Sequence, residues 1–132
     1  RTNLLRHALS NIRARLESFH EKKDDPESGR QPFSVDPDHV IEWMKRSESL
    51  YEYEQQLLED VPHLELTYEQ HIRSPEDHQS TVDTICTYLD IASAPVESSY
   101  RKVAPPTIRE QVANYDELAG RLDDLGCAHY LD

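Results

Sequence analysis

Arg1-Thr2-Asn3-Leu4-Leu5-Arg6-His7-Ala8-Leu9-Ser10 opens the chain, and its reading decides how the rest is understood. Leu4, Leu5, Ala8, Leu9, Ile12, Leu16 and Phe19 recur at three- and four-residue steps, so the spacing predicts an amphipathic helix over 3–19. Asn3 or Thr2 serves as its N-cap. The same stretch is basic: residues 1 to 16 contain Arg1, Arg6, Arg13 and Arg15 and no acid. The chain around it is acidic, with 14 Lys+Arg against 26 Asp+Glu and a net charge of −12. A local cationic run on an anionic protein points to one specific anion. It argues against non-specific nucleic-acid binding, which draws its affinity from many Lys/Arg–phosphate contacts.

Working outward, 132 residues suit a single domain or part of one. The segment 20–35 is polar, with Lys22, Lys23, Asp24, Asp25, Pro26 and Gly29, and is expected to be a flexible loop. Asp36-Pro37-Asp38 supplies an N-cap and a proline at the first helical position. Val40, Ile41, Met44, Tyr51, Leu57 and Leu58 carry that helix to about Glu59. His63-Leu64-Glu65-Leu66-Thr67-Tyr68 alternates, so one strand is expected near 63–68. Ser74-Pro75-Glu76 opens another helix with Val82, Ile85, Cys86 and Leu89 on one face, and a helical pair from Thr107 to about Leu125 rests on Ile108, Val112, Tyr115, Leu118 and Leu122.

A lone strand leaves its backbone N–H and C=O groups without partners. Together with a first residue that is Arg rather than Met, this leads to the expectation of a longer protein whose other strands precede Arg1. The two cysteines, Cys86 and Cys127, have no metal-like spacing, and no signal peptide or membrane span is legible. A reduced, cytoplasmic setting is therefore expected. Among seven histidines no H-x-x-x-H or H-E-x-x-H spacing occurs, so no metal site is expected. His7 and His20 stay open either as surface residues or as groups facing an acceptor. Trp43, Tyr51 and Tyr53 stay open as packing or acceptor-side surface, and Asn114 with Tyr115 is expected to fix a helix junction.

Two anion arrangements fit the opening run. On one continuous helix Arg1 and Ser10 stand about 13.5 Å apart along the axis and on opposite faces, so they meet one anion only if Arg1 precedes the helix. Alternatively Arg6, Ser10 and Arg13 share a face at four- and three-residue steps.

Arg1-Thr2-Asn3-Leu4-Leu5 through Ser10 resembles the R-x-N-L-L-x-x-x-x-S segment of sulfotransferases that use 3′-phosphoadenosine-5′-phosphosulfate (PAPS). Leu66-Thr67-Tyr68-Glu69 is similar to that family's L-T-Y-E-D-L, with Gln70 in place of the acid. Val82 through Tyr88-Leu89-Asp90-Ile91 resembles the helix leading into F-L-G-L. Arg101-Lys102-Val103-Ala104-Pro105-Pro106 through Asn114-Tyr115-Asp116-Glu117-Leu118 resembles the terminal K-x-x-P…N-Y-x-E-L block. The resemblance covers nearly the whole chain. It implies an α/β protein, of which this is the C-terminal, mainly helical part of a P-loop-like sulfotransferase fold.

The resemblance also implies transfer of a sulfuryl group from PAPS to a hydroxyl or amine acceptor. Arg1 and Ser10 would hold the 3′-phosphate of PAPS or its product 3′-phosphoadenosine 5′-phosphate (PAP), Tyr68 would lie near the adenine, and Lys102 is a further phosphate contact. Transfer itself needs a loop whose amides hold the phosphosulfate while charge builds on the bridging oxygen, and a base for the acceptor proton. The three glycines, Gly29, Gly120 and Gly126, are scattered and form no such loop. By this reading the chain alone is inactive, with no catalytic residue of its own and with the missing N-terminal half as partner. The rival expectation is a non-catalytic helical interaction module, or a remnant, that binds a partner protein.

Overall fold

The computed structural model describes residues 2–16, 31–97 and 107–131. They are mostly helical: α1 (Leu4–Leu16), α2 (Pro37–Leu58), α3 (His78–Tyr88), α4 (Ile108–Gln111) and α5 (Tyr115–Asp124), with short turns at Tyr68–Ile72, Pro75–Asp77 and Ala128–Tyr130. The chain divides into two compact units. One comprises residues 3–52 and 102–132, the other residues 1–2 and 53–101.

The first unit contains the core. The apolar spacing of α1 buries Leu5, Ala8 and Leu9, that of α2 buries Val40, Ile41 and Met44, and the C-terminal segment contributes Ile108, Val112, Leu118 and Leu122. Each fully buried Leu or Ile contributes about 1.5–3 kcal/mol relative to exposure. Helix α2 starts where its cap signal places it: Asp36 Oδ1 accepts from the Asp38 N–H at 3.0 Å, and Pro37 occupies the first helical position. Helix α4 has a capping box, with Thr107 Oγ1 accepting from the Glu110 N–H and the Glu110 carboxylate accepting from the Thr107 N–H.

Beside α4 lies a short parallel pairing that the sequence does not announce. Phe33 N–H donates to Gln111 C=O at 3.0 Å, and Ala113 N–H donates to Phe33 C=O at 2.9 Å. Where the backbone then leaves for α5, the Asn114 side chain continues the pattern. Its Oδ1 accepts from Val35 N–H at 3.0 Å and its Nδ2 donates to Val35 C=O at 2.8 Å. A third bond, Nδ2 to Glu117 Oε2 at 2.8 Å, orients the amide. Asn114 thus fixes the helix junction. Of the expected flexible loop 20–35, residues 20–30 lie outside the described residues, whereas Phe33 and Val35 are held by these bonds.

Helix α5 is closed off by Gly126, two residues past its end, whose φ of +69° is the left-handed conformation that favours glycine. Cys127 N–H donates to Leu122 C=O at 2.8 Å and Gly126 N–H to Asp123 C=O at 2.9 Å, the paired closure of a Schellman motif. The chain then returns to the start of α1, where Tyr130 C=O accepts from Asn3 Nδ2 at 2.9 Å.

In the second unit the strand expected at 63–68 does not form. No ladder partner for it exists among the described residues. Thr67 is extended, at φ −100° and ψ 142°, but its N–H is taken by His71 Nδ1 at 3.0 Å, and from Tyr68 the backbone coils into a wide helical turn, Tyr68–Ile72. The alternation of Leu64 and Leu66 survives only as two half-buried side chains. Without a neighbouring strand to pair its amides, the segment satisfies one of them locally.

That turn rests on α3. Thr81 Oγ1 donates to His71 C=O at 2.7 Å, and Tyr88 OH donates to Pro62 C=O at 2.8 Å. Helix α3 closes as α5 does, with Ile91 N–H on Cys86 C=O at 2.9 Å and Asp90 N–H on Thr87 C=O at 3.2 Å. Here the left-handed position is Asp90, with φ 54°. The segment after α3 is bracketed by Gln79, which accepts from Val96 N–H at 2.9 Å, and by Asp83, which accepts from Ser93 Oγ and from Gln79 Nε2. Those two bonds hold the Asp83 carboxyl below its ordinary pKa. Among the described residues no helix is long and apolar enough to cross a membrane.

Candidate functional site

The start of α1 is set by Asn3. Its Oδ1 accepts from Arg6 N–H at 2.9 Å, a side-chain cap that satisfies one of the orphan donors of the first turn, while its Nδ2 is held by Tyr130 C=O at 2.9 Å. The cap is therefore fixed from two sides, and the helix begins at Leu4. Arg1 precedes α1 in the sequence. Arg1 and Lys102 themselves lie outside the described residues.

Ser10 is exposed on α1, in the larger unit. The competing cluster of Arg6, Ser10 and Arg13 does not come together as an anion site. Arg13 is buried, at 8 % exposure, with Nη2 donating to Gln31 C=O at 3.1 Å and the guanidinium 5.3 Å from the Phe33 ring centroid. An arginine that the composition counts as part of a basic patch is instead a packing residue, its stem and head both used to hold residues 31–33 against α1.

Tyr68 is half-buried in the second unit and opens the wide turn rather than ending a strand. Its C=O accepts from Arg73 N–H at 2.8 Å, which closes the turn. The next residue carries a contact that spacing did not suggest: Glu69 Oε2 accepts from the Thr2 N–H at 3.1 Å, across 67 residues of sequence. Burial pushes the Glu69 carboxyl up, but its hydrogen bonds, led by the one from the Thr2 amide, outweigh this and leave it below the usual glutamate value. The signal available in the sequence was only the Thr-Tyr-Glu run itself. Which donor its carboxylate would find is a tertiary fact.

No family model, curated protein or solved structure matches the chain. Its chemistry is accordingly read from its own residues.

His7 stands edge-on to Trp43, with ring centroids 4.8 Å apart and planes at 82°, so both are used in packing. Tyr51 and Tyr53 are exposed, at 51 % and 57 %. His20 lies outside the described residues. Among the described residues, no three His, Cys, Asp or Glu side chains gather as a metal ion would require. Cys86 and Cys127 are free thiols, each half-buried. A groove of about 120 Å³, with Leu4, Ile41, Met44, Lys45, Glu48 and Tyr130 in its lining, is well below the roughly 300–1,000 Å³ of pockets that enclose small-molecule ligands. Burial, with Glu48 and Cys127 adding to it, pushes the Tyr130 phenol up.

Proposed function

We propose that the chain supplies the 3′-phosphate and adenine side of a PAPS-binding site in a sulfotransferase-like protein. Arg1 and Ser10 hold the 3′-phosphate, Tyr68 lies beside the adenine, and Lys102 adds a second cation. The observation that supports this reading most directly is the start of α1 at Leu4, with Asn3 as its cap. Had the helix begun at or before Arg1, the arginine and Ser10 would have faced opposite ways along one cylinder. Beginning at Leu4, the helix does not include Arg1, so the opposite-face objection does not apply. A phosphate held by both residues receives a charge-assisted bond from the guanidinium and a second bond from Ser10.

The chemistry assigned to these residues is binding and orientation. The 3′-phosphate is remote from the sulfuryl group, so its binding energy fixes the nucleotide rather than stabilising the transferring group. No residue of this chain is assigned as the acceptor's base, and no glycine-rich turn in it cradles the phosphosulfate. Residues 1–132 alone are therefore expected to bind PAP weakly or not at all and to transfer nothing unaided.

Calorimetric titration of PAP against the wild type, Arg1→Ala and Ser10→Ala tests the reading. Loss of a charge-assisted bond predicts a roughly tenfold or larger rise in Kd for Arg1→Ala and a smaller rise for Ser10→Ala. Equal heats for all three proteins would remove the site.

A further inference from the structure

We propose that His71 is a proton-operated latch on the segment 63–67: the neutral ring holds the Thr67 amide, and protonation transfers the ring to the Thr67 carbonyl and releases that amide. Every atom of the latch lies in the smaller unit, residues 1–2 and 53–101.

Hydrogen-bond polarity carries the case. Thr67 N–H donates to His71 Nδ1 at 3.0 Å. A ring nitrogen accepts only through its lone pair, so this bond requires a neutral imidazole with its proton on Nε2. The same Nδ1 stands 3.1 Å from the Thr67 carbonyl oxygen and 3.4 Å from Thr67 Oγ1. An imidazolium has a proton on both nitrogens and cannot accept from an N–H, but here it finds an acceptor already within reach. That carbonyl also takes the His71 backbone N–H at 3.0 Å, and its two lone pairs serve two donors. Both charge states of the ring are therefore satisfied at Thr67. What protonation changes is the amide, which is left facing an N–H. The residue it frees ends the extended segment in which half-buried Leu64 and Leu66 alternate with exposed His63 and Glu65, and it starts the turn that carries Tyr68.

Two other histidines of the same unit show the contrast. His63 Nδ1 lies 2.8 Å from Val61 C=O, and His78 Nε2 lies 2.8 Å from Ile72 C=O. Their partners are acceptors, so the ring donates in each case and the bond survives when the ring gains a proton. Of the three rings, that of His71 alone accepts from an amide.

The backbone under the ring is fixed: Thr81 Oγ1 donates to His71 C=O at 2.7 Å, and the Tyr68–Ile72 turn packs on α3 and on the Pro75–Asp77 turn. The charged or titratable neighbours on these elements are Tyr68, Glu69 and Arg73 on its own turn, Glu76 and Asp77 on the next, and His78 and Asp83 on α3, while Tyr88 is turned to Pro62 C=O. Glu69 is bonded to the Thr2 N–H, Asp83 to Ser93 and Gln79, and both carboxyls lie below their ordinary values. Both stay ionised through the range in which histidines change charge, so His78 is the neighbour from which the latch must be distinguished.

The test is NMR on the full chain from about pH 8 to about pH 5, the interval in which histidine side chains gain a proton. Long-range nitrogen–proton correlations of the imidazole read its tautomer, and the Thr67 amide resonance reads the bond. The expected results are a neutral His71 protonated at Nε2 and a Thr67 amide proton that shifts with the same midpoint as the His71 ring. Its exchange protection, corrected for the intrinsic rate, should fall roughly fivefold across the range, as loss of one hydrogen bond requires. In His71→Gln the side-chain oxygen can still accept and does not titrate, so the Thr67 resonance should be flat; in His78→Gln it should titrate as in the wild type. If His71→Gln fails to fold, the wild type and His78→Gln carry the comparison. A neutral ring protonated at Nδ1, a Thr67 amide that does not respond to pH, or one that follows the midpoint of His78 would overturn the proposal. None of these readouts uses PAP, so the nucleotide reading stands or falls separately.

Discussion

Replacing Asn114 by Ala should cost this protein a large part of its stability without touching any residue of the proposed nucleotide site. Among the described residues the side chain partners both backbone groups of Val35, which is 8 % exposed, through bonds of 3.0 Å and 2.8 Å. Truncation leaves a buried N–H and a buried C=O unsatisfied, at about 1–3 kcal/mol each. Asn114 is itself half-buried, so water reaches part of the gap and the lower half of that range applies. The exposed bond to Glu117 adds little. The expected loss is about 2–4 kcal/mol against a total of about 5–15 kcal/mol for a domain. That corresponds to a fall in Tm on the order of 10 °C for a chain of this size. Urea unfolding followed by circular dichroism at 222 nm measures it directly. A change under about 0.5 kcal/mol, the range of ordinary surface substitutions, would show that the lacing of residues 33–35 to 111–114 does not depend on this amide.

Three further outcomes are expected. Asp90→Gly removes the cost of a left-handed non-glycine residue at φ 54° and should raise stability by up to about 1 kcal/mol, read as a higher urea midpoint with unchanged slope. Leu118→Ala, at a fully buried position of α5, should destabilise by about 2–5 kcal/mol in the same assay. The folded-state pKa of Glu69 is depressed, so the stability it contributes is fully present above the unfolded glutamate value and is lost as the pH falls through the lower folded value. Glu69→Gln should therefore be less stable than wild type at neutral pH, with the difference shrinking on acidification. A difference that is constant with pH would show that the carboxylate's ionisation is not what the Thr2 contact uses.

Much of the helical layout was legible because its signals are local. The Asp36-Pro37 start of α2, the apolar steps of α1 and the Ile108 to Leu122 spacing of the last helical pair each depend on residues within a turn or two of one another. Asn114 could be expected to fix a junction from its place between two helical runs. Its partner Val35 could not, because 79 residues separate them. The parallel bridge between Phe33 and Val112 was hidden for the same reason, inside what read as a polar loop and a helical segment. The strand at 63–68 failed on the opposite ground. Alternation specifies which side chains share a face, whereas a strand exists only when another strand takes its amides, and here His71 takes that of Thr67.

By itself, then, the sequence determined where α1 and α2 start, which faces are apolar, and that four arginines sit in an acid-free run. Only the tertiary structure decided what Arg13 and the neighbours of that run hold: Arg13 is committed to Gln31 and Phe33, Asn3 both caps α1 and ties it to Tyr130, and Glu69 finds Thr2. Caps and periodicity are written within one turn of helix. A hydrogen-bond partner many residues away is fixed only when packing brings the two backbones within about 3 Å, and no local pattern encodes that distance.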